Sequence, residues 1–435
     1  MGEVKASFGD DYSLSRVPQS ARRSLWSITI IRIGAFATIV QFILGATLGY
    51  GMTFKSALMA TILGSLVLQI IGFLLGYIGM REGISTSLIT RWTGFGKHGG
   101  TVFSAIIAIS CIGWFGVQNS IFASGIVEAS NGKLPLTLVT FLTGLSVTFL
   151  VIFGFRFLSI TATIAVPAFL VAVSIGVISI FSKTSISELL VASPAGEPLT
   201  IGLAATMVAG SFIVGAIITP DISRYAKSGK DVFWMTAIGL LIGELGINMI
   251  AVLMALAART NDIVSIMVQA SGIVAALVVV FSTVKINNIN LYSASLGFSS
   301  ILDSIFNVKL NRAYITLVIG IVGTILSALG MLDRFVDFLV FLGVLVPPVA
   351  GIIIIDYYIL KTHRELLDES RARGELPSVA GRMSTMTFIA WIAGVAVGYF
   401  ATWGIPALNA LMVSGVIYYV GELLIRARKV SYSHS

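Results

Sequence analysis

One stretch of the chain concentrates side chains able to hold a small molecule: Ser110-Cys111-Ile112-Gly113-Trp114-Phe115-Gly116-Val117-Gln118-Asn119. At helical spacing Cys111, Trp114 and Gln118 fall at i, i+3 and i+7, on one helix face. An indole stacks on a flat ring and a neighbouring amide reads its edge, which is the usual makeup of a mostly apolar pocket with a few placed polar groups. The same residues would also serve as a core tryptophan and an interhelical amide, so spacing alone leaves both readings open. A second stretch, Gly210-Ser211-Phe212-Ile213-Val214-Gly215, offers another aromatic, a hydroxyl and glycines that allow the helix to unwind. A third, Phe281-Ser282-Thr283-Val284-Lys285-Ile286-Asn287, places a cation among apolar residues.

Charges inside apolar runs are costly and mark function by default. Glu244 is expected either to pair with Lys285 or to relay protons. Arg32, about 10 Å into its helix at 1.5 Å per residue, is expected to snorkel to the cytoplasmic headgroups. Asp356 and Glu422 are expected in solvent. The three histidines (His98, His363, His434) stand in polar segments, and Cys111 is the single cysteine. No metal site, cofactor, disulfide framework or His-based catalytic cluster is therefore expected. A Gly-rich phosphate loop ending in Lys-Ser/Thr is also missing, as is the short filter motif of a channel.

The elements that position these residues belong to a membrane. The chain has 435 residues, 56% hydrophobic and 11% charged, with mean hydropathy +0.97; soluble domains carry roughly 25% charged residues. Apolar runs long enough to span a bilayer recur near 26–50, 54–79, 101–129, 135–153, 156–181, 200–219, 232–258, 264–297, 313–330, 334–359, 386–403 and 405–425. An all-α polytopic membrane protein with twelve transmembrane helices is the expected fold class. The layout is a polar tail 1–24, a core 25–360, a polar loop 361–385, two further spans in 386–425 and a tail 426–435. With the N-terminus inside, 21 of the 28 Lys and Arg lie in inside segments and five in outside loops. The basic balance thus reports topology rather than nucleic-acid binding, with both termini cytoplasmic. Glycines interrupt the first span (Gly34, Gly45, Gly49) and the sixth (Gly202, Gly210, Gly215), five spans apart. Interrupted helices at corresponding positions of two halves point to a transporter's binding site, and both are expected to be broken near the bilayer midplane. Close packing of helices through small residues would leave the same signature.

Val17-Pro18-Gln19-Ser20-Ala21-Arg22, Gly76-Tyr77-Ile78-Gly79, Gly113-Trp114-Phe115-Gly116, Gly210-Ser211-Phe212-Ile213, Asn287, Leu291-Tyr292, Leu296-Gly297-Phe298, Pro347-Pro348 and Asp356-Tyr357 resemble the nucleobase:cation symporter-1 (purine/cytosine permease) family nearly end to end. The resemblance implies a 5+5 inverted repeat, helices 1–5 and 6–10, followed by two C-terminal helices. It implies a secondary active transporter of the cell inner membrane, a permease importing a flat nitrogenous solute by alternating access. The partners are then a small heterocycle such as a purine or a cytosine-like pyrimidine, the lipid bilayer, and protons if coupling is to protons. Carried over by position, Trp114 stacks on the ring, Phe212 closes its other face and Ser211 is a polar contact. Cytosine-carrying members place a substrate-binding glutamine where Cys111 stands. Gln118 matches the position of the recognition amide in hydantoin-type members. Sodium-coupled relatives place two hydroxyls where Lys285 and Ile286 stand, and ligate the ion with backbone groups near Gly34 and Thr38; Ser282 lies beside both sites. The expectation is sodium-independent transport with Lys285 in the ion's place. The alternative is a same-family permease for a hydantoin, allantoin or pyrimidine vitamin precursor that retains sodium coupling.

Overall fold

The computed structural model describes residues 15–36, 38–153, 184–262, 273–308, 310–379 and 381–433, with Tyr12, Ser174, Ile178, Ser182, Val264 and Ser265. The described residues are helical, with no strand among them beyond one isolated bridge between Arg23 and Ala226. The helices are α1 (Leu25–Phe36), α2 (Ile39–Gly51), α3 (Phe54–Glu82), α4 (Gly99–Ala129), α5 (Leu136–Phe153), α6 (Ile201–Ile217), α7 (Gly229–Ala258), α8 (Ile273–Phe306), α9 (Arg312–Ala328), α10 (Phe335–Leu360), α11 (Arg364–Ala372), α12 (Thr385–Phe400) and α13 (Pro406–Ser433). Five of these are long and apolar enough to cross a membrane, and the bent pair α1–α2 makes a sixth. Shorter apolar helices occupy four more of the expected runs. The run expected at 156–181 lies outside the described residues apart from Ser174 and Ile178. Of the run expected at 264–297, the residues from Ile273 on belong to α8, which continues past Gly297 to Phe306, while 266–272 lie outside the described residues.

Local chemistry fixes the helix ends. Thr53 and Thr200 accept the backbone N–H of Ser56 and Leu203, and Ser228 with Asp231 forms a reciprocal capping box at the start of α7, each satisfying donors that a helix N-terminus leaves free. At the end of α3 Gly83 adopts φ +68°, the left-handed turn glycine enters without steric cost.

The helices pack as two groups. α1, α2, α3, α6 and α7 form one, with α10, α12 and α13 beside it; α4, α5, α8 and α9 form the other, around Phe115, Val147, Leu291 and Ile319. Within the first group α1 lies along the first part of α7 and α2 along its second part, Asn248–Ala258. Glycine permits that approach: a Cβ at Gly45 of α2 would stand 2.5 Å from the Asn248 carbonyl oxygen.

The polar faces beyond the spans are knitted together. The buried Glu82 carboxylate meets Arg16 at 3.1 Å and Arg371 of α11 at 2.8 Å, and accepts the Tyr357 hydroxyl at 2.5 Å. Arg22 donates to the carbonyls of Met80 and Ala226, and the Arg23 N–H donates to the Tyr225 carbonyl. The Asp221 carboxylate accepts the Thr86 N–H at 2.8 Å, while burial pushes it above the usual carboxylate range. Asp356 is buried rather than solvated, because the Tyr418 hydroxyl donates to it at 2.6 Å.

Helix interruption follows the expected pattern in one span only. The first span breaks between Phe36 and Ile39 with a bend of 58°. The sixth runs unbroken through Gly210 and Gly215 and turns only at Ile218, ahead of the short helix Thr219–Ser223. Gly210 serves packing instead: a Cβ there would fall 1.8 Å from the Leu339 carbonyl oxygen of α10. The close helix–helix contact, not an unwound backbone, requires the glycine.

Candidate substrate cavity

A cavity of about 170 Å³ opens at the break of the first span, between α1–α2, α4, α6 and α8. From the break come Ala35, Thr38 and Gln41; from α4, Trp114 and Gln118; from α6, Ser211, Phe212 and Gly215; from α8, Ile286 and Asn290. Pockets for drug-sized ligands run to roughly 300–1,000 Å³, so this one suits a single small ring system. It is open on the side of α1, where Ala35 and the neighbouring Gly34 are exposed. A larger hollow of about 450 Å³ lies near the far end of α2, by Thr47, Ser124, Asp262 and Asp333. The smaller one is the candidate site, because an indole and two buried amides come together there.

Trp114 and Gln118 are one helical turn apart on α4, which brings both to the cavity. Trp114 is half-buried and braced by T-shaped contacts to Phe338 at 5.1 Å and Phe335 at 6.5 Å, both on α10. Gln118 is 2% exposed, and its Oε1 has no hydrogen-bond partner. Gln41 is equally buried; its Nε2 donates to Glu244 Oε1 at 3.1 Å, which leaves its own Oε1 unpartnered. A buried amide oxygen without a partner is expensive, and both side chains line the cavity, where a turn of either amide would offer its oxygen to the N–H edge of a ring.

Ser211 Oγ lies 2.8 Å from the Val208 carbonyl oxygen and 3.0 Å from Glu244 Oε1. Phe212 stacks on Phe36 with ring centroids 3.7 Å apart. The Arg32 guanidinium sits 4.7 Å from the Phe212 centroid and donates to the Gly215 carbonyl at 2.7 Å. Arg32 is 1% exposed, so it does not snorkel. The bare backbones of Gly72 and Gly239 make room for it between α3 and α7.

The cavity thus gathers Trp114, Gln118, Ser211, Phe212, Thr38 and Ile286 of the residues singled out by sequence, and it does not gather all of them. Cys111 lies about 10 Å along the axis from Gln118 and packs with Phe115, Leu291 and Tyr292 in the second core. Ser282 is buried on α8 one turn before Ile286, outside the lining. Lys285 belongs to α8, but its side chain lies outside the described residues. Gln41 and Asn290 line the cavity unforeseen. Each is a single amide in an apolar helix, and only the position of Gln41, just past the break, hinted at its use.

Glu244 stands behind the lining, fully buried in a π-helical turn of α7, Leu241–Ile247. Such turns insert an extra residue and recur at functional sites. Its carboxylate is held by Gln41, Ser211 and Asn248, the last donating to Oε2 at 3.0 Å.

Residues 16–421 match a family described as permease for cytosine/purines, uracil, thiamine, allantoin. The chain is 28% identical over 431 residues to the cytosine permease of Escherichia coli strain K12, covering 98% of this chain and 97% of that one. Among solved structures it is similar to the inward-facing conformation of Mhp1, with TM-score 0.77 and 17% identity over 98% of this chain and 96% of that chain. It is also similar to Mhp1, described as a nucleobase-cation-symport-1 family transporter, in a closed conformation with bromovinylhydantoin bound. There the TM-score is 0.71 and the identity 16%, over 96% of each chain.

Proposed function

Because the chain belongs to the family of permeases for cytosine/purines, uracil, thiamine and allantoin, it is a secondary transporter, not an enzyme, and we propose that it imports a flat nitrogenous heterocycle of nucleobase type. One observation carries the proposal: Trp114 and the amide side chains of Gln118 and Gln41, each with an unpartnered oxygen, line one small cavity at the break of the first span. The indole supplies a stacking platform that tolerates any flat ring, and the amides discriminate by the ring's N–H edge. In this reading the chain is a multi-pass protein of the inner membrane, twelve spans with a 5+5 repeat, both termini in the cytoplasm. The two packed groups of helices are the bodies that rock during alternating access.

A hydantoin is the second reading. It is favoured by Gln118 standing one turn past Trp114, and a solved structural neighbour is described with bromovinylhydantoin bound. Coupling to sodium is not part of the proposal. Lys285 and Ile286 replace the two hydroxyls of sodium-coupled relatives, and sodium requires oxygen ligands. In this reading the Lys285 ammonium is a fixed charge in the ion's stead.

The test is a thermal-shift screen of purified protein against cytosine, hypoxanthine, hydantoin and allantoin, followed by counterflow of each radiolabelled hit in proteoliposomes. Stabilisation and exchange by cytosine or hypoxanthine support the nucleobase reading, and hydantoin alone supports the second. No exchange of any of the four overturns both.

A further inference from the structure

We propose that Glu244 is the proton-carrying residue of the transport cycle and that the cavity senses its protonation through Gln41 and Ser211. The inference rests on the transporter reading above and adds the coupling group. Ser211 owns one hydroxyl proton and faces two acceptors, the Val208 carbonyl oxygen at 2.8 Å and Glu244 Oε1 at 3.0 Å. With Glu244 ionised, the carboxylate takes that proton together with the N–H donors of Gln41 and Asn248. With Glu244 protonated, Ser211 gives its proton to Val208 and accepts the carboxyl proton instead. The same heavy-atom positions satisfy both states.

Further acceptors stand ready. Gln41 Oε1 and Asn248 Oδ1 are buried without partners. Where the carboxyl proton goes to Gln41 instead of Ser211, a turn of the amide exchanges its NH₂ group for Oε1 at the carboxyl group. Gln41 also lines the cavity, so a turn of its amide that follows protonation alters the hydrogen-bonding edge beside the substrate. Proton and ring binding are then linked, and the linkage is reciprocal.

Among the described residues the groups facing Glu244 are few. From α2 comes Gln41, from α6 Ser211 and from its own helix Asn248. From α1 the field of Arg32 reaches it, without direct ion-pair contact, and α3 gives it no hydrogen bond. The Lys285 side chain is outside the described residues. A buried carboxylate whose immediate partners among the described residues are all neutral loses and regains a proton without breaking an ion pair with any of them. In the cycle its O–H bond forms with a proton from water in the open cavity. That bond breaks again to water when the cavity faces the other side, so one proton accompanies each ring.

The test has two arms on full-length protein. In nanodiscs without ligand, infrared difference spectra across a pH titration follow the protonated-carboxyl C=O band. The expected result is a titrating band that is lost in Glu244→Gln and retained at a shifted position in Glu244→Asp. Spectra identical between wild type and Glu244→Gln overturn the proposal. In proteoliposomes, uptake of radiolabelled cytosine, hypoxanthine and hydantoin under an inward proton gradient is divided by counterflow of the same probe. The wild-type ratio is expected to exceed its no-gradient value, and the Glu244→Gln ratio to fall to that value. A gradient response preserved in Glu244→Gln also overturns it. If wild type exchanges none of the probes, the transport reading fails for those rings and the spectral arm alone judges Glu244. If Glu244→Gln does not fold, Glu244→Asp decides: an unshifted band overturns the proposal.

Discussion

Phe36 and Phe212 stack with ring centroids 3.7 Å apart and planes 24° apart, joining the end of α1 to α6 directly beside the cavity. Phe36 is fully buried. Phe36→Ala removes the stack and opens a void in the core, at a cost of about 3–5 kcal/mol. The melting temperature of purified protein should fall, and hydrogen exchange across residues 25–36 should rise more than in α3. Equal protection in the variant would mean that α1 is held by its other contacts alone.

Trp114→Ala should weaken binding of the transported ring by about 1–3 kcal/mol, the value of stacking on an aromatic platform, or roughly 5- to 150-fold in affinity. Trp114→Phe should recover much of the loss. Gln118→Ala should cost less, about 0.5–1.5 kcal/mol for a neutral hydrogen bond, and should change the ranking among cytosine, hypoxanthine and hydantoin. Isothermal titration with each compound checks both. Undiminished affinity in Trp114→Ala would move the site elsewhere.

Lys285 and Ile286 predict uptake that survives replacement of sodium by choline. The complementary substitution is more demanding. Lys285→Thr combined with Ile286→Thr restores the hydroxyl pair of sodium-coupled relatives and should make uptake rise with sodium. Strict sodium dependence of the wild type would remove the premise.

Arg32 predicts an unusual stability result. Its Nε and Nη2 atoms are buried without partners, and a buried charge so poorly paired contributes little to stability. Arg32→Met keeps most of the volume and should leave the melting temperature unchanged or raise it. A large drop would mean that the single bond to Gly215 and the faces of Phe36 and Phe212 stabilise α1 more than the unpaired donors cost.

The legible parts of the sequence were those with a period. Hydropathy announced the long spans, and the one-turn spacing of Trp114 and Gln118 announced the α4 wall of the cavity. Glycine was ambiguous. The same residue type marks a true break in the first span and close packing at Gly210 in the sixth, because only the position of a neighbouring backbone separates the two uses. Arg32 was misread because snorkelling is judged along the helix axis, whereas the space that holds its guanidinium is made by Gly72 and Gly239 on other helices. Gln41 had no pattern at all. It matters because Glu244, 203 positions away in sequence, takes its amide N–H.

The broken first span carries a consequence for how the cavity works. Its two pieces lie against one partner, α7, which runs uninterrupted from Gly229 to Ala258. The chain just before α1 is fastened through Arg22 and Arg23 to Met80, Tyr225 and Ala226, and the far end of α1 is fastened by Phe36. A fractured rod bound along an intact one is splinted. The interruption after Phe36 bends the span without lending it a joint, so α1 travels only as cargo of the helices it is strapped to.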